Sequence, residues 1–490
     1  MPIAIVIFFA IFFAPIFAVA HSEKFAAGTP IWTTAEQGEI NSSIVFSTDF
    51  EWDGEGELKL RLTGCSLFKV FVNEKFAAYG PARGGHGYFR VDQWNIKPFA
   101  RKGRNRLNIV GVAYNTTTFY IIDHEPFLQA EVVSGDNVLR ATGDGRWCAN
   151  LTGRIRRTQR YSAQRAQSEV YEVQSSHGWE WWKRCNDFGR VLSITNAPRV
   201  RLFERGAPYP TFEIDSSYRP TDSLSVKLRE GDLGKIPDLW GGKASYLGRT
   251  YPSETLKYRP VIDWWKREFL PAGKIEQGPV KIDAQRAVRY EGKINNTGFL
   301  SVKVKVVKPG RIIVAFDEIL VGGKLNFLKR FACNNVIMWD VKAPGEYEFE
   351  SFEAYTFKFA EVMMLEGEAV VESLVMRTYK NPNATKKCML SDVADVKIFE
   401  AARETFAQNA LDVLMDCPSR ERAAWLCDSY FTGEAEYFFT GKNEIERTFL
   451  RNFALADKFE FLPEGDDFDV LPGRSYQCKF YPQLVYVVYT

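Results

Sequence analysis

Over the first two thirds of the chain, apolar and polar residues alternate with a period of two, the signature of half-buried strands. Leu58, Leu60 and Leu62 alternate with Lys59 and Arg61, which puts the leucines on one face. Leu67 to Val72 reads as a further strand ending in the turn-like Asn73-Glu74-Lys75, and Leu107 to Val112 as another, after the polar turn Arg101-Lys102-Gly103-Arg104-Asn105. Residues 197–212 hold three prolines and a glycine and read as a linker or irregular crossing. Beyond it, Val302, Val304 and Val306 alternate with Lys303 and Lys305, Pro309-Gly310 makes a turn, and Ile312 to Phe316 starts the next strand. Asn381-Pro382-Asn383 is a second punctuation point, after which the period becomes helical. Val393, Val396, Phe399, Ala402 and Phe406 recur every three or four residues behind Ser391 or Asp392 as N-cap. A second helix is predicted from about Ala423 to Thr440 with Gly441 as its C-terminal cap, and a third behind Asn443, carrying Ile445, Phe449 and Phe453. No internal repeat or low-complexity segment interrupts this order, so the expected architecture is multidomain, β then α.

Composition narrows the partners. At 490 residues the chain exceeds one core, and domains of about 100–200 residues imply roughly three. The 63 basic and 61 acidic residues leave a net charge of +2, too weak a field to recruit nucleic acid or an anionic membrane. A neutral partner such as a sugar fits this balance. The aromatic content of 14% suits either sugar stacking or β-rich cores. Trp179-Glu180-Trp181-Trp182 and Asp263-Trp264-Trp265 are groove candidates. On a strand, though, neighbours face opposite sides, so only one Trp of each adjacent pair can reach a ligand, and core packing is the default for the rest. The paired Asp317 and Glu318 read as a solvated strand end.

Residues 2–20 are almost wholly apolar and end in Ala18-Val19-Ala20 before His21, which reads as a secretory signal peptide and a secreted or periplasmic protein. The n-region lacks Lys and Arg, and an uncleaved anchor is the alternative, since about 18 apolar residues just span a bilayer. The eight cysteines form no C-x-x-C pair and the four histidines are scattered, so no zinc site and no cofactor are expected. The cysteines are expected to be mostly free and buried.

The densest chemistry lies in Asp416-Cys417-Pro418-Ser419-Arg420-Glu421-Arg422-Ala423-Ala424-Trp425-Leu426-Cys427-Asp428. Glycosidic bond cleavage needs a protonated carboxylic acid at the leaving oxygen and a second carboxylate that activates water or attacks the anomeric carbon. If a helix begins just before Glu421, then Glu421, Trp425 and Asp428 share one face. A neighbouring Trp would raise the carboxyl pKa, as would the charges of Asp416 and Asp428, while Arg420 and Arg422 oppose them. Asp416, ahead of Pro418, is held in a loop that can approach the same space from another side. The competing reading is a solvated helix start, where acids belong on electrostatic grounds.

This segment resembles the acid-bearing signature of the bacterial alpha-L-rhamnosidases, glycoside hydrolase family 78: Asp416, Cys417, Pro418, Arg420, Glu421, Arg422, Trp425 and Asp428 match in order, with Ala424 where the family usually has Gly. Residues 71–115 resemble the galactose-binding-like jelly-roll module of large rhamnosidases, and Tyr290 to Leu320 the β-sandwich that precedes their catalytic domain. The resemblance implies two β-sandwich/jelly-roll domains followed by the incomplete start of an (α/α)6 six-hairpin barrel. The expected division is a signal peptide at 1–20, an N-terminal sandwich at 21–200, a second sandwich at 201–385 and the barrel start at 386–490. It implies Glu421 as general acid, Asp416, Asp428, Trp425 and Arg420 as sugar-binding residues, an inverting mechanism on rhamnose-containing glycans, and no metal. Twelve barrel helices of about 11–12 residues with loops of about 4–6 need roughly 190 residues, more than follow Pro382. The family's catalytic base is therefore expected outside this sequence, and apolar helix faces are expected to stay exposed. The alternative is a non-catalytic carbohydrate-binding remnant.

Overall fold

The computed structural model describes residues 23–455 apart from 117, 122, 163, 175–192, 198, 231–248, 276 and 331–332. The leader-like segment and the Trp179–Trp182 cluster lie outside the described residues.

Two sheets form the first β-region, antiparallel throughout except for the edge strand Arg201–Glu204, which runs parallel to Tyr88–Asn95. One runs in the order Cys148–Leu151, Ser42–Trp52, Gly103–Ala113, Leu67–Val72, Lys75–Gly80. The other runs Ile194–Asn196, Ile31–Thr33, Phe127–Ser134, Lys59–Cys65, Tyr88–Asn95, Arg201–Glu204, with Asn137–Ala141 beside Phe127–Ser134. The period-two pattern works as predicted: Leu58, Leu60 and Leu62 are all buried, packed with Phe46, Val70, Ile109 and Val132 between the sheets. Leu67–Val72 turns back through Asn73 and Glu74, both at positive φ (49° and 69°), the conformation that two-residue hairpin loops require.

The second region is an eleven-stranded, sandwich-like sheet built around the strand Arg286–Lys308. Its first half pairs with Arg219–Leu228 and Tyr355–Met364, and its second half with Gly345–Glu350 and Glu368–Thr378. The pairing register breaks between Glu291 and Asn296, a bulge that bends the strand. Val302, Val304 and Val306 line the core with Trp339, Phe349 and Phe357, while Lys303 and Lys305 face outward. The two regions interlock in the chain. Val170–Val173 pairs in parallel with Val336–Val341 of the second sheet, and Ile194–Asn196 and Arg201–Glu204 return to the first.

Two expectations fail here. Trp264 and Trp265 sit on a short helix, α1 (Pro260–Trp265), rather than a strand, because Pro260 starts a helical turn at its favoured first position. Trp264 is buried and the Arg229 guanidinium lies 4.9 Å from the Trp265 ring. Asp317 is not a solvated strand end but fully buried, paired with Arg330 on the four-residue α2 (Phe327–Arg330). Among the described cysteines the expected burial holds for Cys65 and Cys333, whereas Cys148, Cys388 and Cys417 are only half-buried.

Three longer helices follow: α3 (Val393–Asn409), α4 (Leu426–Thr440) and α5 (Glu444–Leu455). Asp392 caps α3 by accepting from the amides of Ala394 (2.7 Å) and Asp395 (3.2 Å). Gly441 ends α4 at φ +73°, and the Glu436 carboxylate caps α5 through the amides of Ile445 and Glu446, both at 2.8 Å. The apolar stripe of α3 is not buried as a whole: Val393 at its start is 67% exposed, Phe399 is half-buried against Phe439, and only the end around Phe406 and Ala407 is fully buried.

A further cluster joins the three parts. Val45, Tyr79, Val110 and Tyr114 of the first region meet Phe299, Phe352 and Tyr379 of the second and Leu411, Val413, Met415, Ala424, Phe449 and Phe453 of the helical part. The rings pack edge-on, Tyr79 lying 4.8 Å from Phe299 and 5.5 Å from Tyr379 between centroids. The helical part therefore grows out of a core that both β-regions supply.

Candidate active site

The chain leaves α3 through the apolar run Ala410-Leu411-Asp412-Val413-Leu414-Met415, buried throughout. Asp412 is its only charge. Its carboxylate accepts from the Arg83 backbone amide (2.7 Å), from Arg83 Nη2 (2.8 Å) and from Arg83 Nε (3.1 Å). Burial would raise its pKa, but the Arg83 guanidinium prevails and holds the carboxyl well below the ordinary range.

After Met415 the chain forms a loop rather than a helix. Residues 418–421 make a turn and α4 begins only at Leu426, with Trp425 as its N-cap. The expected helix start at Ala423 and the single helical face for Glu421, Trp425 and Asp428 are therefore corrected. Arg422 adopts a left-handed conformation (φ +59°), which interrupts any helix running from Pro418. For a residue other than Gly this costs about 1–2 kcal/mol and persists only where surroundings enforce it. The loop closes on itself: the Asp416 amide donates to the Ala423 carbonyl (3.0 Å), and Asp416 Oδ1 accepts from the Ala423 amide (2.9 Å).

Within the loop the predicted residues converge. Glu421 Oε2 accepts from the indole Nε1 of Trp425 at 2.8 Å, and Glu421 Oε1 pairs with Arg420. The Glu421 side chain is 12% exposed, so it opens to solvent by a narrow edge. Trp425 packs edge-on against Phe119 at 5.3 Å, a contact from the first β-region. Burial, then the negative charge of Glu421, push the Asp416 carboxyl up to about 6. Asp416, Arg420, Glu421 and Trp425 thus form one knot. Asp428 is exposed in the first turn of α4.

Sequence reasoning misses the groups beneath this knot. Glu353, buried in the second β-region, pairs with Arg165 Nη2 (2.6 Å) and lies 3.7 Å from Arg422 Nη1. Its carboxylate also accepts from Tyr120 (2.8 Å) and Tyr114. Burial opposes its charge, but Arg165 and Arg422 outweigh burial and keep it ionised below the usual range. The Arg422 guanidinium lies 5.4 Å from the Tyr120 ring and 5.9 Å from that of Tyr379. One signal points this way: a lone Asp412 inside an apolar run implies a buried cationic partner. Nothing local identifies that partner as Arg83. Among the described residues, no group of three or more His, Cys, Asp or Glu is placed to hold a metal ion.

Residues 387–460 match the family model described as the bacterial alpha-L-rhamnosidase 6 hairpin glycosidase domain. No curated protein matches the chain. Among solved structures, the GH78 family rhamnosidase of Bacillus sp. GL1 is similar at a TM-score of 0.70 and 15% identity, over 90% of this chain and 64% of that one. An alpha-L-rhamnosidase from Dictyoglumus thermophilum is similar at a TM-score of 0.56 and 15% identity, over 89% of this chain and 45% of that one. The Streptomyces avermitilis alpha-L-rhamnosidase complexed with L-rhamnose gives a TM-score of 0.58 and 12% identity, over 87% and 37%. The chain thus spans less than two thirds of the length of each of these relatives. At such identities the likeness is one of fold: β-sheet regions of sandwich type followed by the first helices of a helical barrel.

Proposed function

We propose, from the premise that residues 387–460 match a bacterial alpha-L-rhamnosidase six-hairpin domain, that the protein serves the hydrolysis of terminal alpha-L-rhamnose from glycans or glycosides. Glu421 is the general acid in this reading. It is a nearly enclosed carboxyl with one oxygen on an indole N–H and the other on Arg420, within the matched residues 387–460. The enclosure of this carboxyl within the matched residues is the observation that carries the proposal. Asp416 and Asp428 hold sugar hydroxyls, Arg420 assists them, and Trp425 supplies a wall for the sugar ring. A raised carboxyl at Asp416 suits a group that shares protons with hydroxyls rather than one that stays a free anion.

The proposed chemistry is inverting. Glu421 gives its proton to the leaving oxygen, while a second carboxylate about 6.5–9.5 Å away takes a proton from the attacking water. That base is a separate residue, assigned to none of the carboxylates of 416–428. The protein is also proposed to be exported, with cleavage after Ala20. Amino-terminal sequencing of the secreted form should begin at His21, and a mature chain that keeps Met1 would exclude cleavage.

The test is incubation with an aryl alpha-L-rhamnoside, with the anomeric proton followed by NMR. Net inversion, and a loss of about 10²–10⁴ in kcat for Glu421→Gln with L-rhamnose affinity kept, are expected. Net retention, or full activity in that variant, would refute the assignment. Glycan binding by residues 21–385 alone on a glycan array would favour the carbohydrate-binding alternative.

A further inference from the structure

We propose that Arg83, from the first β-region, and Arg165, from the segment that leads from it into the second sheet, are positioning residues that hold the loop bearing Glu421 from beneath. The inference rests on the reading of Glu421 as the acid, and it extends that reading to residues some 250–340 positions away in sequence. Arg83 uses one arm of its guanidinium and its Nε on Asp412, and gives the other arm, Nη1, to the Arg422 carbonyl at 2.6 Å. Arg165 gives Nη2 to Glu353 at 2.6 Å and Nη1 to the Ser419 carbonyl at 2.9 Å. Both follow one design. A buried carboxylate fixes the guanidinium, and the other edge of the planar fork fixes a loop carbonyl.

The two carbonyls bracket the acid, Ser419 lying two residues before Glu421 and Arg422 one after. The left-handed turn at Arg422 is held on both sides, by Arg83 on its carbonyl and by Glu353, Tyr120 and Tyr379 around its side chain. Arg165 is itself locked, with its guanidinium 4.5 Å from the Tyr161 ring and its side chain 2% exposed. A loop with no regular hydrogen-bond ladder therefore gains a fixed carboxyl direction from partners outside the helical part. The β-regions act on the loop that bears the acid and are more than appended sugar-binding modules.

Lysine separates positioning from folding. Arg83→Lys and Arg165→Lys each keep a cation for the buried Asp412 or Glu353, but a single ammonium cannot also reach the loop carbonyl in the fork geometry. Hydrogen exchange followed by mass spectrometry on the full chain should show the Asp416 and Ala423 amides exchanging at least tenfold faster in either variant. The strands Arg286–Lys308 and Gly103–Ala113 should keep wild-type protection. Unchanged loop exchange in folded variants would overturn the proposal. Equal loss of protection throughout the molecule would also overturn it, since that marks a purely structural role. L-rhamnose titration of the same samples judges the other reading separately: an unaltered chain that binds no L-rhamnose refutes the rhamnoside assignment whatever the loop does. If Arg165→Lys fails to fold, Arg83→Lys and the milder Ser419→Pro, which disturbs the turn bearing that carbonyl while leaving both arginines, decide by the same exchange measurement.

Discussion

The loop 416–425 and helix α3 are neighbours in sequence and opposites in how they are held. Helix α3 has an N-cap, a regular period and its own hydrogen-bond ladder, yet much of its apolar stripe is open to solvent. The loop has no ladder and one strained residue, yet Arg422, Ala423 and Ala424 are buried and side chains of the β-regions anchor it at the Arg422 carbonyl, the Ser419 carbonyl and the Arg422 guanidinium. Order in the helix comes from the adjacent chain, whereas order in the loop comes from side chains about 70 to 340 residues away. The site chemistry falls on the second kind of order, where a carboxyl can be aimed without being placed on a helix face.

This contrast sets the sizes of the expected effects. The largest belongs to Glu353→Ala, which leaves Arg165 and Arg422 buried without their carboxylate and should cost about 3–5 kcal/mol in urea unfolding. A cost below about 1 kcal/mol would mean that the loop is anchored elsewhere.

A smaller effect comes from Asp416, whose folded carboxyl sits at about 6, above the roughly 4 of an unfolded chain. The native state then binds the proton more tightly. Its contribution is fully present below about pH 4 and is lost as pH rises through about 6. Wild-type stability relative to Asp416→Asn should therefore fall between pH 4 and 7, and a difference that is flat or rises over that range would contradict the burial of this carboxyl.

Local order should be cheaper to disturb. Asp392→Ala, removing the cap of α3, should cost about 1 kcal/mol and fray the first turn in amide exchange without touching the loop. Smallest of all, Ile398→Glu on the exposed face of α3 should change stability by no more than about 0.5 kcal/mol, and a larger loss would show that this face is covered in solution.

Much of the site is legible in the sequence. Asp416, Arg420, Glu421 and Trp425 stand out there as a group, and in the folded chain they do meet. The way they meet differs in kind from what the spacing suggests. An i, i+4 separation points to a helical face, while the Trp425–Glu421 contact is made across a non-helical turn. The same spacing can close through a loop when Pro418 and a left-handed Arg422 set the backbone. The burial of Asp317, which reads in sequence as a solvated strand end, has a similar origin. A carboxylate at the end of an apolar strand looks exposed until a distant cation is known, here Arg330.

What the sequence settled by itself is what has a short period or a local cap. Alternating leucines and valines specify the strand faces, Asp392 starts a helix, and Gly441 ends one, because each depends only on residues within a turn or two. The tertiary structure alone decided the rest: the bend of Arg286–Lys308, the shared core of the β-regions and helices, and the pairing of Arg83 with Asp412 and of Arg165 with Glu353. Those pairings join residues 329 and 188 positions apart. No periodicity records such a partner. A buried charge demands one, and only the folded chain brings it within reach.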